Sequence, residues 1–170
     1  MRGAALFLLL IAAFIEKRES YWINKYDAEF NFICPHGESM SYIRSKHHNY
    51  HEDRLWDIGC KKTFSSDCFW TPYVNHFDDP FTYTCPSNYV LTGIGSYHSN
   101  RHEDRRWRFH CCNGSGYSNA NCYWTPYVNW FDEGFHWNVP LFNYLVGAES
   151  YHNNHHEDRR WRYKYCAKNG

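Results

Sequence analysis

The sequence predicts an all-β domain, three pseudo-symmetric repeats of about 50 residues in a prism- or trefoil-like arrangement held by disulfides. Three observations carry that expectation. One hexapeptide recurs as His51-Glu52-Asp53-Arg54-Leu55-Trp56, His102-Glu103-Asp104-Arg105-Arg106-Trp107 and His156-Glu157-Asp158-Arg159-Arg160-Trp161. Apolar and polar residues alternate over short runs separated by turn residues, with no sustained helical period. Eight cysteines sit in a chain that opens like a secreted one.

Taken in order, Arg2 followed by the apolar run Ala4 to Ile15 reads as a secretion signal, residues 1–19, too short for a membrane span of about 20 residues. Cleavage is expected between Ala13 and Ser20, and Lys17-Arg18 offers a second, dibasic processing point. Residues 20–170 then hold the repeats, at about 30–80, 81–134 and 135–170.

Each repeat begins with an aromatic alternation, Phe30-x-Phe32, Phe81-x-Tyr83 or Phe135-x-Trp137. Cys34, Cys85 and Val139 follow in matching positions, each with a proline after it. Met40 to His47, Val90 to His98 and Leu145 to His152 read as strands, and the signature hexapeptides begin the next ones. Alternation puts Trp56, Ile58 and Cys60 on one face, with Trp107, Phe109 and Cys111, and Trp161, Tyr163 and Tyr165, as counterparts. That face is the core. Two repeats end in Cys68-Phe69-Trp70-Thr71-Pro72-Tyr73-Val74-Asn75 and Cys122-Tyr123-Trp124-Thr125-Pro126-Tyr127-Val128-Asn129. The third stops short of this segment, and Tyr21-Trp22-Ile23-Asn24 is the candidate to replace it and close a ring.

Cysteine spacing favours disulfides over zinc, because no paired C-x-x-C occurs. Cys34 and Cys60 lie at the two ends of one unit and are expected to pair. Cys122 with Cys166 follows from the correspondence with Cys68 and Cys112. Symmetry then gives Cys85–Cys111 and Cys68–Cys112, with the swapped use of the adjacent Cys111 and Cys112 left open.

Net charge is formally zero, so overall electrostatics indicate no nucleic-acid partner and any charged ligand must meet a local patch. Aromatic residues make up 21% of the chain, eight of them tryptophans, enough to fill a core and leave rings over for stacking on sugars.

The three Asp-Arg-x-Trp strands, the vicinal Cys111-Cys112 and the Cys-Pro pairs at 34–35 and 85–86 resemble the dermatopontin family, which includes invertebrate haemagglutinins and an amebocyte aggregation factor. The resemblance covers nearly all of residues 20–170. It implies a secreted or matrix protein without catalysis that supports adhesion, binds proteoglycans or other glycans, and agglutinates cells. Ile58 stands where the family's pattern has an aromatic residue, and the long acidic, tyrosine-rich N-terminal segment of vertebrate members is missing. The shorter chain is more similar to the agglutinins.

Within the signature, Asp53, Arg54, Asp104, Arg105, Asp158 and Arg159 are expected to be structural ion pairs, beside the core Trp56, Trp107 and Trp161. Glu52, Glu103 and Glu157 are freer to contact a ligand. The face opposite the tryptophans carries Arg106, Arg108 and His110 in one repeat and Arg160, Arg162 and Lys164 in another, a basic ladder suited to sulfates or carboxylates of glycosaminoglycans. The first repeat has Leu55 and Asp57 there, so fold geometry alone does not demand the charges. Ser45, His47, Asn49 and His51 recur as Ser96, His98, Asn100 and His102, and as Ser150, His152, Asn154 and His156. This run is expected to be exposed polar surface, with no metal and no cofactor assigned. Asn113-Gly114-Ser115 is a glycosylation sequon expected in a surface loop.

The conclusion from sequence is a secreted, non-enzymatic protein that binds cell-surface glycans, proteoglycans or glycosaminoglycans and attaches or agglutinates cells. The alternative is a matrix protein organising fibrils through protein contacts. Neighbouring carboxylates such as Glu103 and Asp104 point to opposite faces of a strand, a poor arrangement for glycoside hydrolysis.

Overall fold

The computed structural model describes residues 21–114 and 121–168. The expected signal, residues 1–19, lies outside them. Eleven strands and no helix make up the described residues, so the all-β expectation holds. Strand β1 (Phe30–Ile33) leads into a long hairpin of β2 (Glu38–His48) and β3 (Asp53–Lys62), followed by β4 (Ser65–Trp70). The pattern returns as β5 (Phe81–Thr84), the β6 (Tyr89–Ser99) and β7 (Asp104–Gly114) hairpin and β8 (Cys122–Trp124). It ends with β9 (Phe135–Asn138) and the hairpin of β10 (Asn143–Asn153) and β11 (Asp158–Ala167).

Each hairpin lies in its own antiparallel sheet, but the short leading strands are exchanged between them. The sheet orders are β1-β6-β7-β4, β5-β10-β11-β8 and β3-β2-β9. Phe30 thus lies opposite Ser96, Phe81 opposite Ser150, and Phe135, near the chain's end, opposite Ser45. Alternation identifies faces but not partners, which is why the sequence did not disclose this exchange.

A β-bulge in each hairpin makes the exchange possible. The register slips at Ser41, Thr92 and Val146. The carbonyls of those three residues accept the amides of Val139, Cys34 and Cys85 at 2.8–2.9 Å. The extra residue also adds twist and curls the sheet. Glycine follows the bulge where the leading strand passes closest. A Cβ on Gly93 would sit 2.4 Å from the Phe32 carbonyl, and one on Gly147 2.6 Å from that of Tyr83.

The core lies where the sheets meet. Trp56, Trp107 and Trp161 are each 0–1% exposed and contact one another edge to face, with centroids 4.8–5.1 Å apart. Each faces a buried serine across its hairpin, Ser45, Ser96 or Ser150, small enough to leave room for an indole. Phe135, Phe30 and Phe81 from the exchanged strands pack edge-on to Trp56, Trp107 and Trp161. Edge-to-face pairs of this kind contribute about 0.5–1.5 kcal/mol each beyond their burial.

Asparagine fixes the backbone at each tryptophan. Asn75 Oδ1 accepts the Trp107 amide at 2.8 Å, and its Nδ2 donates to the Arg105 carbonyl at 3.0 Å. Asn129 does the same for Trp161 and Arg159, and Asn24 for Trp56 and Arg54. The N-terminal Tyr21 to Asn24 segment therefore occupies on the first hairpin the place that the Tyr73–Asn75 and Tyr127–Asn129 segments take on the others.

Four disulfides join Cys34–Cys60, Cys68–Cys112, Cys85–Cys111 and Cys122–Cys166. Cys111 is in the main core and Cys112 is not, as adjacent strand residues on opposite faces require, and this resolves the vicinal pairing.

Candidate functional site

Two regions concentrate chemistry: the axis where the three signatures meet, and the outer faces of the sheets. On the axis the Asp–Arg pairs form a closed cycle. Arg105 donates through Nε and Nη2 to Asp53 at 2.6 and 2.8 Å, Arg159 to Asp104 at 2.6 and 2.7 Å, and Arg54 to Asp158 at 2.6 and 2.7 Å. All six side chains are 2–4% exposed. These pairs join different hairpins, a partnership that the expectation of structural ion pairs did not specify. Each aspartate also accepts a backbone amide at 2.8 Å, from Asp27, Asp78 or Asp132. Burial opposes charge on Asp158, but hydrogen bonds from His47 and Arg54 outweigh it and hold the carboxyl at about 2.

Above this cycle the signatures line a water-sized chamber of about 20 Å³, floored by the three tryptophans. Glu52, Glu103 and Glu157 stand at its rim in the left-handed backbone region, each at φ 45°. Burial, then Asp27, Glu52 and Asp53, raise the Glu103 pKa against the opposing pull of His98. Burial, then Asp78, Glu103 and Glu52, do the same to Glu157 against His152. The structure therefore brings the three glutamates together.

The histidine run is exposed only in part: Asn49, Asn100 and Asn154 face solvent, but the serines and the first histidine of each copy do not. The side chains of His47, His98 and His152 are 0–1% exposed, because the end of each first hairpin strand turns toward the axis. His51, His102 and His156 occupy the edge, stacked on Tyr26, Phe77 and Phe131. Each lies 3.0–3.7 Å from Asp27, Asp78 or Asp132. Sequence reasoning missed those turn aspartates, although the recurring Asn24-x-x-Asp27, Asn75-x-x-Asp78 and Asn129-x-x-Asp132 carries the signal.

The basic ladder is not a row of free cations. Arg106 donates to the Asn75 carbonyl at 2.7 Å and to the Tyr97 hydroxyl at 3.1 Å, over the Tyr73 ring. Arg160 repeats this with Asn129 and Tyr151 and lies 4.7 and 4.1 Å from the Tyr127 and Trp130 centroids. Arg108 packs between Trp70 and Tyr73 and donates to Asn31. Arg162 packs between Trp124 and Tyr127 and pairs with Glu149 at 2.7 Å, while Lys164 lies over Trp124. His110 shares their register but not their exposure. It is buried under Trp70 with Nδ1 2.6 Å from the Thr92 hydroxyl, and burial lowers its pKa.

On the first hairpin the cations come from the other strand: Arg44 and Lys46 sit 4.8 and 5.0 Å from the Trp22 ring, and Arg44 pairs with Asp57 at 2.8 Å. Every sheet thus bears alternating rings and cations on its outer face. Beside one of them, Phe69, Trp70, Pro72, Tyr73, Tyr83 and Pro86 line an open groove of about 570 Å³. Asn113 is half-buried within β7, opposite Tyr89 and Ser66, so the sequon's asparagine belongs to a strand and not to the expected loop.

Comparison with known proteins bears on both regions. The chain is 43% identical over 148 residues to the hemagglutinin/amebocyte aggregation factor of Limulus polyphemus, covering 85% of this chain and 86% of that one. It is 39% identical over 146 residues to Millepora cytotoxin-1 of Millepora dichotoma, covering 85% and 65%. It is 37% identical over 146 residues to dermatopontin of Biomphalaria glabrata, covering 85% and 99%. No solved structure matches the chain. The dermatopontin family model matches residues 24–170, a span that starts at the asparagine bracing Trp56 and takes in all three signatures; the chain belongs to the dermatopontin family.

Proposed function

We propose that this chain is a secreted, non-enzymatic adhesion or agglutination protein that binds glycans of cell surfaces or proteoglycans through the ring-and-cation faces of its sheets. The observation that carries this reading is the row Trp124, Arg162, Tyr127, Arg160 and Trp130, in which Trp130 remains 64% exposed. An exposed indole suits the apolar face of a sugar ring. Guanidinium groups held beside it suit carboxylates and sulfates with geometry fixed in advance. Ring-and-cation faces on three sheets in one rigid molecule support multivalent capture, so weak individual contacts would suffice to link cells. The names of the Limulus and Biomphalaria relatives agree with an aggregating or matrix role, and four disulfides suit an oxidising, extracellular setting.

The test is agglutination of erythrocytes with and without heparin, alongside retention on a heparin column over a salt gradient. Inhibition by heparin and steeply salt-dependent retention are expected. Agglutination indifferent to heparin and to every sugar of a glycan panel would favour fibril organisation through protein contacts.

A further inference from the structure

The Cys68–Cys112 disulfide differs from the other three bridges in its access and in the groups around it. Of the eight cysteines only Cys68 is exposed, while Cys112, opposite it on the neighbouring strand, is 3% exposed. A cavity of about 230 Å³ lies beside the bond, lined by Cys68, Cys112, Thr92 and His110 and by Pro35 and His36 from the turn between β1 and β2.

Thr92 Oγ1 lies 3.1 Å from Cys112 Sγ. A disulfide sulfur carries no proton, so any hydrogen bond between them runs from the hydroxyl. The same hydroxyl is 2.6 Å from His110 Nδ1 and 3.2 Å from the His110 carbonyl, and Nδ1 is 3.8 Å from Cys112 Sγ. One rotatable proton thus has the sulfur within reach as well as groups of His110. Negative charge developing on Cys112 Sγ makes the sulfur a far stronger acceptor and draws that proton to it.

The repeats supply their own comparison. Cys122–Cys166 occupies the matching place in the third sheet, where Val146 stands for Thr92 and Lys164 for His110. Val146 packs there with Val90 and Cys166 in an apolar cluster. Fold geometry alone therefore does not demand a hydroxyl and an imidazole beside a bridge. Cys85–Cys111 does have a hydroxyl near it, Tyr83 Oη at 3.3 Å from Cys111 Sγ, but its cysteines are 2% and 0% exposed and closed to a second molecule. Cys34 is 5% exposed, and Cys60 packs against the same core.

An accessible sulfur and a stabilised leaving group are what thiol–disulfide exchange requires. We propose that Cys68–Cys112 is an exchange site for a small thiol, which attacks Cys68 and leaves Cys112 as a thiolate held by the Thr92 hydroxyl. In the first step the thiolate forms a bond to Cys68 Sγ, the Sγ–Sγ bond breaks, and its electron pair leaves on Cys112 Sγ. The product is a mixed disulfide at Cys68. A second thiol then attacks the small-molecule sulfur and releases Cys68. Two thiols are oxidised to one disulfide, the bridge gains two electrons, and two protons pass from the thiols to the cysteines. The bridge ties β4 to β7, and β4 carries Trp70 over Arg108 and His110, so exchange acts on the strand that edges the outer face.

The test uses the intact, disulfide-bonded protein, incubated with reduced glutathione at neutral pH. The reaction is quenched in acid, alkylated with N-ethylmaleimide under denaturing conditions and mapped by mass spectrometry. Glutathione on Cys68 with Cys112 alkylated is expected, while the other three bridges stay closed. Thr92→Val copies the residue that the third sheet carries at this bulge, and the residue 92 carbonyl still accepts the Cys34 amide. It should slow opening about fivefold or more, whereas Thr92→Ser should keep the wild-type rate within about twofold. Slower opening cannot come from a loosened fold, because loosening would expose the bond and speed attack. No opening, all four bridges opening together, Cys122–Cys166 opening as fast, glutathione on Cys112 in place of Cys68, or an undiminished rate in Thr92→Val overturns the proposal.

Discussion

Arg54 and Asp158 stand 104 residues apart in the chain, yet Arg54 Nε and Nη2 reach the Asp158 carboxylate at 2.6 and 2.7 Å. This pair joins the first hairpin to the last. With β9 returning to β2, it makes the three sheets a closed ring. Closure matters for function because it holds the outer faces in fixed relation and gathers three signatures around one axis.

Breaking that pair should be costly in a specific way. Asp158→Asn keeps an acceptor for the Asp132 amide but leaves the Arg54 charge buried without its partner. Removing one member of a buried pair destabilises by about 3–5 kcal/mol. Arg54→Met added to Asp158→Asn removes the stranded charge and should recover part of the loss. Urea unfolding with the disulfides intact, arranged as a double-mutant cycle, measures both effects.

The same aspartate makes stability fall in acid. Its carboxyl titrates at about 2 in the folded protein, below the ordinary value of about 3.9. A depressed folded-state pKa means stabilisation that is complete above the unfolded value and is lost as pH falls from about 4 toward 2, roughly 2 kcal/mol in all. Asp158→Asn should therefore lose less stability than the wild type over that window. Parallel Tm-against-pH curves for the two proteins would refute the assignment.

How far the sequence discloses the site depends on what each residue answers to. Trp56, Trp107 and Trp161 were legible as core because strand alternation alone fixes their face. The disulfides were legible from correspondence between repeats, except the choice between Cys111 and Cys112, which only their opposite faces in the fold decide. His47, His98 and His152 were not, because a polar residue at every second position signals one face without saying whether water or other polar groups cover it. Arg106 and Arg160 were read as a free ladder for the same reason. Only the tertiary contact shows Tyr73, Tyr127 and Trp130 beneath them.

The missing third core bridge suggests a stabilised variant. Val139 and Tyr165 hold the positions of Cys34 and Cys60, and of Cys85 and Cys111, whose Cα atoms are 5.8 and 6.0 Å apart. Val139 also makes the matching backbone bond, to the Ser41 carbonyl at 2.9 Å. Val139→Cys with Tyr165→Cys should close a fifth disulfide. A loop of this size contributes about 3 kcal/mol in the chain-entropy model, less the lost packing of Tyr165 against Trp137. Non-reducing peptide mapping shows whether the bond forms, and Tm shows its effect.

Binding and stability separate on the outer face, and the choice of residue decides which is tested. Arg106→Ser removes hydrogen bonds to Asn75 and Tyr97, so it should cost about 1–3 kcal/mol of stability along with any loss of binding. Trp130→Ala is the cleaner probe. Its ring is 64% exposed and touches the structure chiefly through Arg160, so Tm should change little. Arg160 stays anchored by Asn129 and Tyr151 and keeps its charge in place. If glycans stack on this face, Trp130→Ala should weaken glycan binding several-fold while the salt dependence of heparin retention stays the same, because the ring supplies apolar contact and the arginines supply charge. Loss of salt dependence instead would mean that Trp130 acts only by positioning Arg160. Unchanged affinity on a glycan array would remove this face from the binding surface.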